Sequence, residues 1–307
     1  MNVRGFFLCG AALWAAAAVA QEAGATRARH FSAGDDGGGT PVNEIRPLDP
    51  DGRLSVKTVA GTLAVTGWER NQVQITGTLG AGAERLEISG GPSELTVAVK
   101  LPHPTRTGGE SDLRLMVPAT ARLELETVSA NIAVRGARGP LKVNTISGDM
   151  LLTVDTPRLA VQTVSGDLTV RGAAAEAQID SVSGDLHLSG LKGRVAAQTV
   201  SGNLELAGGP FSDLRLKTIS GDMRLQPTFQ HPAVLDGESL SGDIFLHLPA
   251  DVVGTALLKS FSGVAQCDHT LPVRELPGKK REYVWGDGQG VTVQLSSFSG
   301  DIRIERK

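Results

Sequence analysis

Cysteine, aromatic residues and net charge are all scarce in this chain of 307 residues. Its two cysteines, Cys9 and Cys267, could form one bridge at most, so a disulfide framework does not hold the fold together. Phe, Trp and Tyr make up only 4% of the residues, which disfavours a carbohydrate site built on aromatic platforms. The formal net charge of −3 is wrong for a protein that binds nucleic acid. Stability must therefore come from aliphatic side chains and backbone pairing.

The longest apolar run of the sequence lies at its N-terminus. Arg4 precedes apolar residues 5–17, and Ala18-Val19-Ala20 fits the small-x-small pattern that signal peptidase cleaves. Residues 1–20 are therefore predicted to be a secretory signal peptide. An uncleaved membrane anchor is the alternative, although the run is shorter than the ~20 residues of a spanning helix. We expect no membrane span in the mature chain and an extracytoplasmic location in a bacterium, in the periplasm, outside the cell or on its surface.

Residues 21–44 are predicted to be a disordered tether. They contain the stretch Gly34-Asp35-Asp36-Gly37-Gly38-Gly39 and few aliphatic side chains. Such a composition buries too little apolar surface to offset the entropy lost on ordering the backbone.

A six-residue core recurs from residue 141 onwards: Thr or Ser, an aliphatic residue, Ser, Gly, Asp or Asn, and another aliphatic residue. The first six of these cores begin 18, 19 or 21 residues apart, and such a short period indicates a solenoid or array. The cores that follow the pattern start at Thr145, Thr163, Ser181, Thr199, Thr218, Ser239 and Ser297. Degenerate cores start at Thr58, Thr127 and Ser260.

Apolar residues alternate on both sides of each core, as they do in strands with one buried face; Leu159, Val161 and Thr163 are one example. The sequence thus predicts an all-β chain that forms a single β-solenoid with coils of about 18–21 residues. Each coil would consist of a strand, a corner, a second strand and a polar turn. We expect the Thr/Ser column to face inward and to bond from coil to coil. Gly and the first aliphatic residue of each core are also predicted to face inward, whereas Ser and Asp face outward. Coils that widen towards the C-terminus would explain why this aliphatic residue grows from Val182 to Phe298.

The predicted solenoid covers residues 45–307. Regular coils are expected at about 121–265, and the looser strands at 45–120 predict irregular first coils or a capping sheet continuous with the solenoid. A capping insertion is expected at about 266–290, because an open end would expose unpaired strand edges.

The repeated Val-Ser-Gly-Asp-aliphatic cores resemble a bacterial domain family of unknown function whose members are named putative adhesins. The resemblance covers about residues 45–305 and rests on the Ser-Gly-Asp motif at 18-residue spacing. It implies a β-solenoid of the cell surface or envelope, and it supplies no catalytic residues. Terminal copies depart from the motif at Ala60, Thr62, Ala130 and Val264.

The outward Asp column is the most suggestive candidate site. Its carboxylates could form a line of calcium sites, but Asp also suits a Ser-Gly-Asp bend in which its side chain accepts backbone N–H groups. Calcium-binding nonapeptide repeats carry a different pattern, Gly-Gly-x-Gly-x-Asp. The structural interpretation is favoured, and no metal site is predicted. The column consists of Asp149, Asp167, Asp185, Asn203, Asp222, Asp243 and Asp301.

No other residues form a recognisable catalytic, cofactor or metal site. A nucleophilic Ser is a single residue beside a base, whereas the Ser of this motif recurs along the chain. Cys267 has no catalytic partner in the sequence pattern, and Lys279-Lys280-Arg281 is expected in a solvated loop. Tyr283 and Trp285 alternate on one predicted strand and are expected to pack within the C-terminal cap; a small carbohydrate site there is the alternative. The histidines lack ligand spacing: His103, His187, His231, His247 and His269.

Together these features favour a non-enzymatic, exported module with a structural or adhesive role and no cofactor. Its long regular face is expected to bind a protein or an envelope polymer. A calcium-dependent binding module is one alternative. A carbohydrate-active solenoid enzyme such as a lyase is another, although it would need acids and bases clustered on one face.

Overall fold

The structure is a computed structural model that describes residues 39–80, 82–101, 110–267, 273–278, 280–286 and 288–306. The described residues contain strands, turns and loops but no helix, which confirms the predicted all-β class. This part of the chain accordingly has no helix long and apolar enough to cross a membrane. The predicted signal peptide, residues 1–20, lies outside the described residues. The strands are β1 (Thr40–Pro47), β2 (Arg53–Trp68), β3 (Gln72–Leu79), β4 (Arg85–Gly90), β5 (Glu94–Lys100), β6 (Glu110–Pro118), β7 (Arg122–Ala137), β8 (Leu141–Thr145), β9 (Met150–Thr163), β10 (Leu168–Ser183), β11 (Leu186–Ser189), β12 (Gly193–Ser201), β13 (Leu204–Ser220), β14 (Met223–Ser241), β15 (Ile244–Leu248), β16 (Gly254–Ser262), β17 (Ala265–Cys267), β18 (Val273–Leu276), β19 (Lys280–Trp285), β20 (Val291–Ser299) and β21 (Ile302–Arg306).

Each repeat consists of two strands that meet at a corner, and both strands pair in parallel with the equivalent strands of the neighbouring repeats. The Ser-Gly-Asp core forms this corner and joins a first arm, which precedes it, to a second arm, which follows it. β8 is a first arm, β9 begins as the second arm of the same repeat, and β8 pairs in parallel with the end of β9. In the regular part, paired residues are one 18-residue period apart, as with Leu168 and Leu186. Equivalent residues of successive repeats therefore form columns at the roughly 4.8 Å spacing of neighbouring strands.

The C-terminal repeats are not stacked in chain order. β20 and β21 pair with β14 and β15 on one side and with β16 and β17 on the other. The last repeat of the sequence therefore lies between two earlier repeats, which the spacing of the cores along the chain does not reveal. β19 pairs antiparallel with β16, and β18 pairs with β19, so this hairpin covers an edge of the stack.

The N-terminal end has a similar inserted strand. β2 pairs with β7 on one side and with β5 and β6 on the other, so β5 and β6 form the last parallel layer. β4 then pairs antiparallel with β5, and β3 and β1 continue antiparallel from β6.

The tether prediction is wrong for its last residues. β1 begins at Thr40 and pairs with β3, so residues 40–44 are part of a sheet. Val42 packs against the core, and the backbone of β1 is satisfied by its partner strand, although the local composition looked too polar to order. Residues 21–38 lie outside the described residues.

One continuous apolar core fills the space between the arms. It extends from Leu48 to Ile304 and is built mainly from the inward Leu, Val and Ile of alternating positions. Phe211 and Trp285 are among the largest fully buried side chains. Small aliphatic side chains therefore carry most of the packing, as the low aromatic content requires.

Candidate functional site

The first position of each corner faces the core, as predicted. Ten Thr and Ser residues at this position, from Thr58 to Ser297, are buried. Their expected coil-to-coil bonding is largely wrong. Thr127 does donate to the Thr145 hydroxyl at 2.8 Å, but Thr163 donates to the carbonyl of Ser165 at 3.2 Å in its own corner. Four of the ten hydroxyls donate to a carbonyl of their own bend, those of Thr145, Thr163, Ser181 and Thr199. Four others are buried without a hydrogen-bond partner among the described residues, those of Thr58, Thr218, Ser239 and Ser297.

The second position of each corner faces solvent, which contradicts the predicted inward orientation. Val182 is 42% exposed and Phe261 is 56% exposed. Ordinary alternation continues from the buried Thr or Ser to this residue, and it breaks only at the following Ser-Gly. The larger side chains at this position towards the C-terminus, such as Phe298, therefore do not fill the interior of wider coils. We name these residues the corner ladder, in stacking order Val59, Val128, Ile146, Val164, Val182, Val200, Ile219, Leu240, Phe298 and Phe261.

Glycine is required at the corner because successive repeats touch there. Gly184 has a φ of +119°, and a Cβ on it would lie 2.3 Å from the carbonyl oxygen of Gly166. The same close contact recurs between Gly202 and Gly184. The glycine column thus faces its neighbour along the stack, not the core as predicted from the sequence.

The Asp column joins each repeat to the next by hydrogen bonds. The backbone N–H of Asp185 donates to Oδ1 of Asp167 at 2.9 Å, and the N–H of Asn203 donates to Oδ1 of Asp185 at 2.7 Å. Asn203 itself accepts from Asp222 at 3.1 Å, so an amide oxygen serves as well as a carboxylate. We name this set the Asp ladder; its acceptors are Asn131, Asp149, Asp167, Asp185, Asn203, Asp222, Asp243 and Asp301.

The departure from the motif at Val264 has a physical explanation. Its N–H donates to Oδ1 of Asp301 at 2.9 Å, so residue 264 takes the last place of the ladder. Among the described residues no further corner stacks beyond this one, so a side-chain acceptor there would receive no backbone N–H from another corner. The Asp ladder thus has a structural role; its first acceptor is Asn131, and its last acceptor is Asp301. Within the described residues, no group of three or more His, Cys, Asp or Glu side chains could hold a metal ion.

A half-buried aromatic side chain lies between two arginines on the outer face of the second arms. The guanidinium carbons of Arg224 and Arg303 lie 5.7 and 5.8 Å from the ring centroid of Phe245. Arg224 also pairs with Asp222 at 3.4 Å, and Arg303 pairs with Asp301 at 3.0 Å. We name Arg224, Phe245 and Arg303 the Arg-Phe-Arg column. Sequence inspection missed it, although the outward parity of the three positions was visible once the repeats were aligned.

The aromatic residues of the C-terminal hairpin are buried. Tyr283 and Trp285 are only 5% and 2% exposed, and Arg306 stacks on the Trp285 ring at 5.6 Å. They cannot form a carbohydrate platform in this state. Cys267 is also buried, which restricts the access of reagents and substrates to its thiol.

Two histidines face outward on the second arms, as predicted. His187 Nδ1 lies 3.1 Å from Glu205, and His247 Nε2 lies 3.8 Å from Glu305. Lys280 and Arg281 begin strand β19, and Arg281 donates to the carbonyl of Ala265 at 2.7 Å. The basic run is therefore partly strand, not only a solvated loop, and its first residue lies outside the described residues.

A shallow depression of about 450 Å³ lies at the start of the polar turns. Its lining includes Glu69 and Arg138, which form an ion pair with each other. Gly67 and Gly136 form another part of the wall, and their backbones are in contact. The remaining polar side chains of the lining are Thr153 and Asp155.

Two carboxylates on the outer face of the first arms have shifted pKa values. The hydrogen bond from Arg53 lowers the pKa of Glu124, with help from Lys142 and against the opposing effect of partial burial. Burial raises the pKa of Asp236, and the negative charge of Glu238 adds to this effect. These shifts follow from local pairing and desolvation on a strand surface.

A family model matches most of the chain. The Toastrack family, a domain of unknown function also called DUF4097, matches residues 51–305. The chain belongs to the Toastrack family. The matched region contains every corner that the structure describes. No curated protein is similar enough to this chain to count as a match.

Solved structures named as adhesins resemble this Toastrack chain at low sequence identity. A putative adhesin from Parabacteroides distasonis is 12% identical, with a TM-score of 0.42 over 88% of this chain and 98% of its own. One from Bacteroides fragilis is 11% identical, with a TM-score of 0.40 over 87% of this chain and 97% of its own. One from Parabacteroides merdae is 14% identical, with a TM-score of 0.38 over 88% and 98%. Family membership itself rests on the match over residues 51–305.

Proposed function

We propose that this Toastrack chain is a non-enzymatic, adhesin-like interaction module of the bacterial envelope. Residues 1–20 direct its export, and the remainder acts outside the cytoplasm as a single β-solenoid with coils of about 18–21 residues. Residues 266–290 cap its C-terminal end. The module binds an envelope protein or polymer and needs no cofactor.

The observation that carries this proposal is that the polar side chains of the repeated motif have structural roles. The Thr or Ser hydroxyl is buried, and the Asp carboxylate accepts an N–H of the next repeat, as between Asp167 and Asp185. The carboxylates are thus used in stacking, and the hydroxyls are turned away from any substrate in solvent. Repeated columns also differ from the singular acid-base cluster that hydrolysis or elimination requires.

The Arg-Phe-Arg column supplies the contact surface in this proposal. Aromatic and Arg side chains are enriched where protein surfaces bind partners, whereas Lys and Glu are depleted there. Phe245 is held in place by Arg224 and Arg303, so little side-chain entropy is lost when a partner covers it.

Co-sedimentation with isolated envelopes of the source bacterium tests the proposal. The purified protein should pellet with the envelopes, and Phe245→Ala should reduce the bound fraction severalfold. Thr169→Ala is the matched control, because Thr169 lies in the same outward column and should leave binding unchanged. Protein that stays in the supernatant, or that releases soluble glycan fragments from the envelopes, would contradict the proposal.

A further inference from the structure

The corner ladder is a row of apolar side chains along the stack, all of them exposed except Val59 and Val164, which are half-buried. Eight of its members are between 39% and 56% exposed. At its end, the rings of Phe261 and Phe298 stack with their centroids 4.8 Å apart and nearly parallel. With roughly 70–120 Å² exposed per residue, the ladder offers on the order of 800 Å² of surface, about what one partner contributes to a standard interface. Contiguous apolar surface of this size marks an interaction site.

We propose that the corner ladder binds the corner ladder of a second copy of this chain. The pitch of the row favours this occupant. Ladder side chains repeat at the strand spacing of roughly 4.8 Å, whereas an extended peptide presents same-face side chains about every 6.7 Å. A helix presents one turn per ~5.4 Å and loses register within a few steps. A second stack has the same pitch and stays in register along the whole row.

The size gradient of the ladder fixes the direction of pairing. Val59 and Val128 lie at one end and Phe298 and Phe261 at the other. A parallel pair would oppose Phe to Phe at one end and Val to Val at the other, which leaves a wedge-shaped gap. An antiparallel pair opposes Phe to Val at both ends. A two-fold axis, the commonest symmetry of soluble homodimers, can relate the copies in either direction, so the match of side-chain sizes selects the antiparallel pair.

The borders of the ladder are compatible with self-association. One border is the uncharged Ser column of the corners. On the other border, Lys57 pairs with Glu126 at 2.7 Å and Lys217 pairs with Glu238 at 2.8 Å, so most of its charge is neutralised within each copy. Asp180 accepts a hydrogen bond from Gln198 at 2.6 Å near the centre. Beyond the Ser column lies the Asp ladder, in which Asp222 and Asp301 are paired with Arg224 and Arg303, so the charged rows flank the apolar contact and are not part of it.

Sedimentation velocity of the purified protein from low to high micromolar concentration tests the dimer. We expect a concentration-dependent dimer that Val182→Lys with Val200→Lys weakens by at least about 100-fold, because both sites lie at the centre of the interface. Val234→Lys with Val273→Lys is the matched control, since both valines are exposed but lie off the ladder. Circular dichroism and thermal melts confirm that each variant is folded.

A monomer at every concentration, or a folded Val182→Lys, Val200→Lys variant that dimerises like the wild type, would overturn the inference. The proposed function would survive that result if the monomer still sediments with envelopes.

Cysteine cross-linking tests the direction. Val59→Cys protein mixed with Phe261→Cys protein should give a mixed disulfide-linked dimer under mild oxidation, with wild-type protein as the background for its own cysteines. Efficient linking of Phe261→Cys protein to itself would contradict the antiparallel arrangement.

Discussion

A single glycine at each corner sets how closely two repeats approach. Its positive φ is a conformation that other residues adopt only with strain, and the missing Cβ leaves room for the carbonyl oxygen of the preceding repeat. The Asp two residues after the Ser then accepts an N–H of its neighbour. Both residues act along the stacking direction, which explains why the whole core recurs as a unit.

Gly184→Ala should therefore destabilise the protein by at least about 2 kcal/mol, since strain at positive φ adds to a steric clash with Gly166. Gly91→Ala is the control, because a Cβ there meets nothing within 4 Å. Urea unfolding of both variants measures the difference. Similar midpoints for the two variants would show that the close contact between corners is unimportant.

The Asp ladder predicts a difference between two substitutions at the same positions. Asp167→Asn with Asp185→Asn keeps an acceptor oxygen at each place, as Asn203 does naturally, and should leave stability nearly unchanged. Asp167→Ala with Asp185→Ala removes two acceptors and should cost about 1 kcal/mol for each lost bond. Equal destabilisation by the two double variants in urea unfolding would refute the acceptor role.

The outer columns of the first arms contain charges with opposite effects on stability. Glu124 and Asp236 occupy one such column, at opposite ends of the stack. The pKa of Glu124 is lowered in the folded state, so its stabilisation is present above its unfolded pKa and is lost as the pH falls. The pKa of Asp236 is raised, so its contribution is largest at acidic pH and is lost as the pH rises.

Glu124→Gln should accordingly lower the melting temperature at neutral pH, by an amount that corresponds to less than about 1 kcal/mol for such a surface pair. Asp236→Asn should raise the melting temperature at neutral pH. Both differences from the wild type should shrink as the pH approaches 3. Thermal melts from pH 7 to pH 3 measure them, and effects of the same sign for the two variants would be inconsistent with the shifts.

The position of the C-terminal strands in the stack, and not their position in the chain, should determine how well their backbone amides are protected from hydrogen exchange. β20 lies between β14 and β16, so both of its edges are paired although it is near the C-terminus. Hydrogen exchange measured by mass spectrometry should therefore show peptides from residues 291–306 exchanging as slowly as peptides from β14. Fast exchange, as in a frayed terminus, would mean that the inserted arrangement does not form.

At the scale of the whole molecule, the sequence predicted the class and the period but not the stacking order. Alternation around the cores was sufficient to predict an all-β chain, and the buried Thr/Ser position followed from the same parity. The orientation of Val182 was predicted wrongly because the break in alternation was placed before it. The break lies at the following Ser-Gly, where the positive φ of Gly184 turns the chain.

The insertion of β20 and β21 between earlier repeats could not be predicted from spacing. Which repeats become neighbours depends on packing across the stack. The core at Ser260 lies 21 residues from the core at Ser239 and 37 residues from the core at Ser297, and the sequence does not indicate that the more distant core is its neighbour. The Arg-Phe-Arg column depends on the same neighbours: Phe245 meets Arg303 only because β21 pairs with β15. Surface sites of this kind become visible only once the order of the repeats is known.

The motif's carboxylates hold neighbouring repeats together as hydrogen-bond acceptors, and we predict that they do so without calcium. Thermal melts of the purified protein in excess chelator and in millimolar calcium test this claim most directly. We predict that the two melts nearly coincide, because each ladder carboxylate already accepts a backbone N–H. A calcium ion at 100 times its dissociation constant would add about 2.7 kcal/mol, a shift that such melts detect. A large calcium-dependent rise in melting temperature, abolished by Asp167→Asn with Asp185→Asn, would make the Asp ladder a cation site.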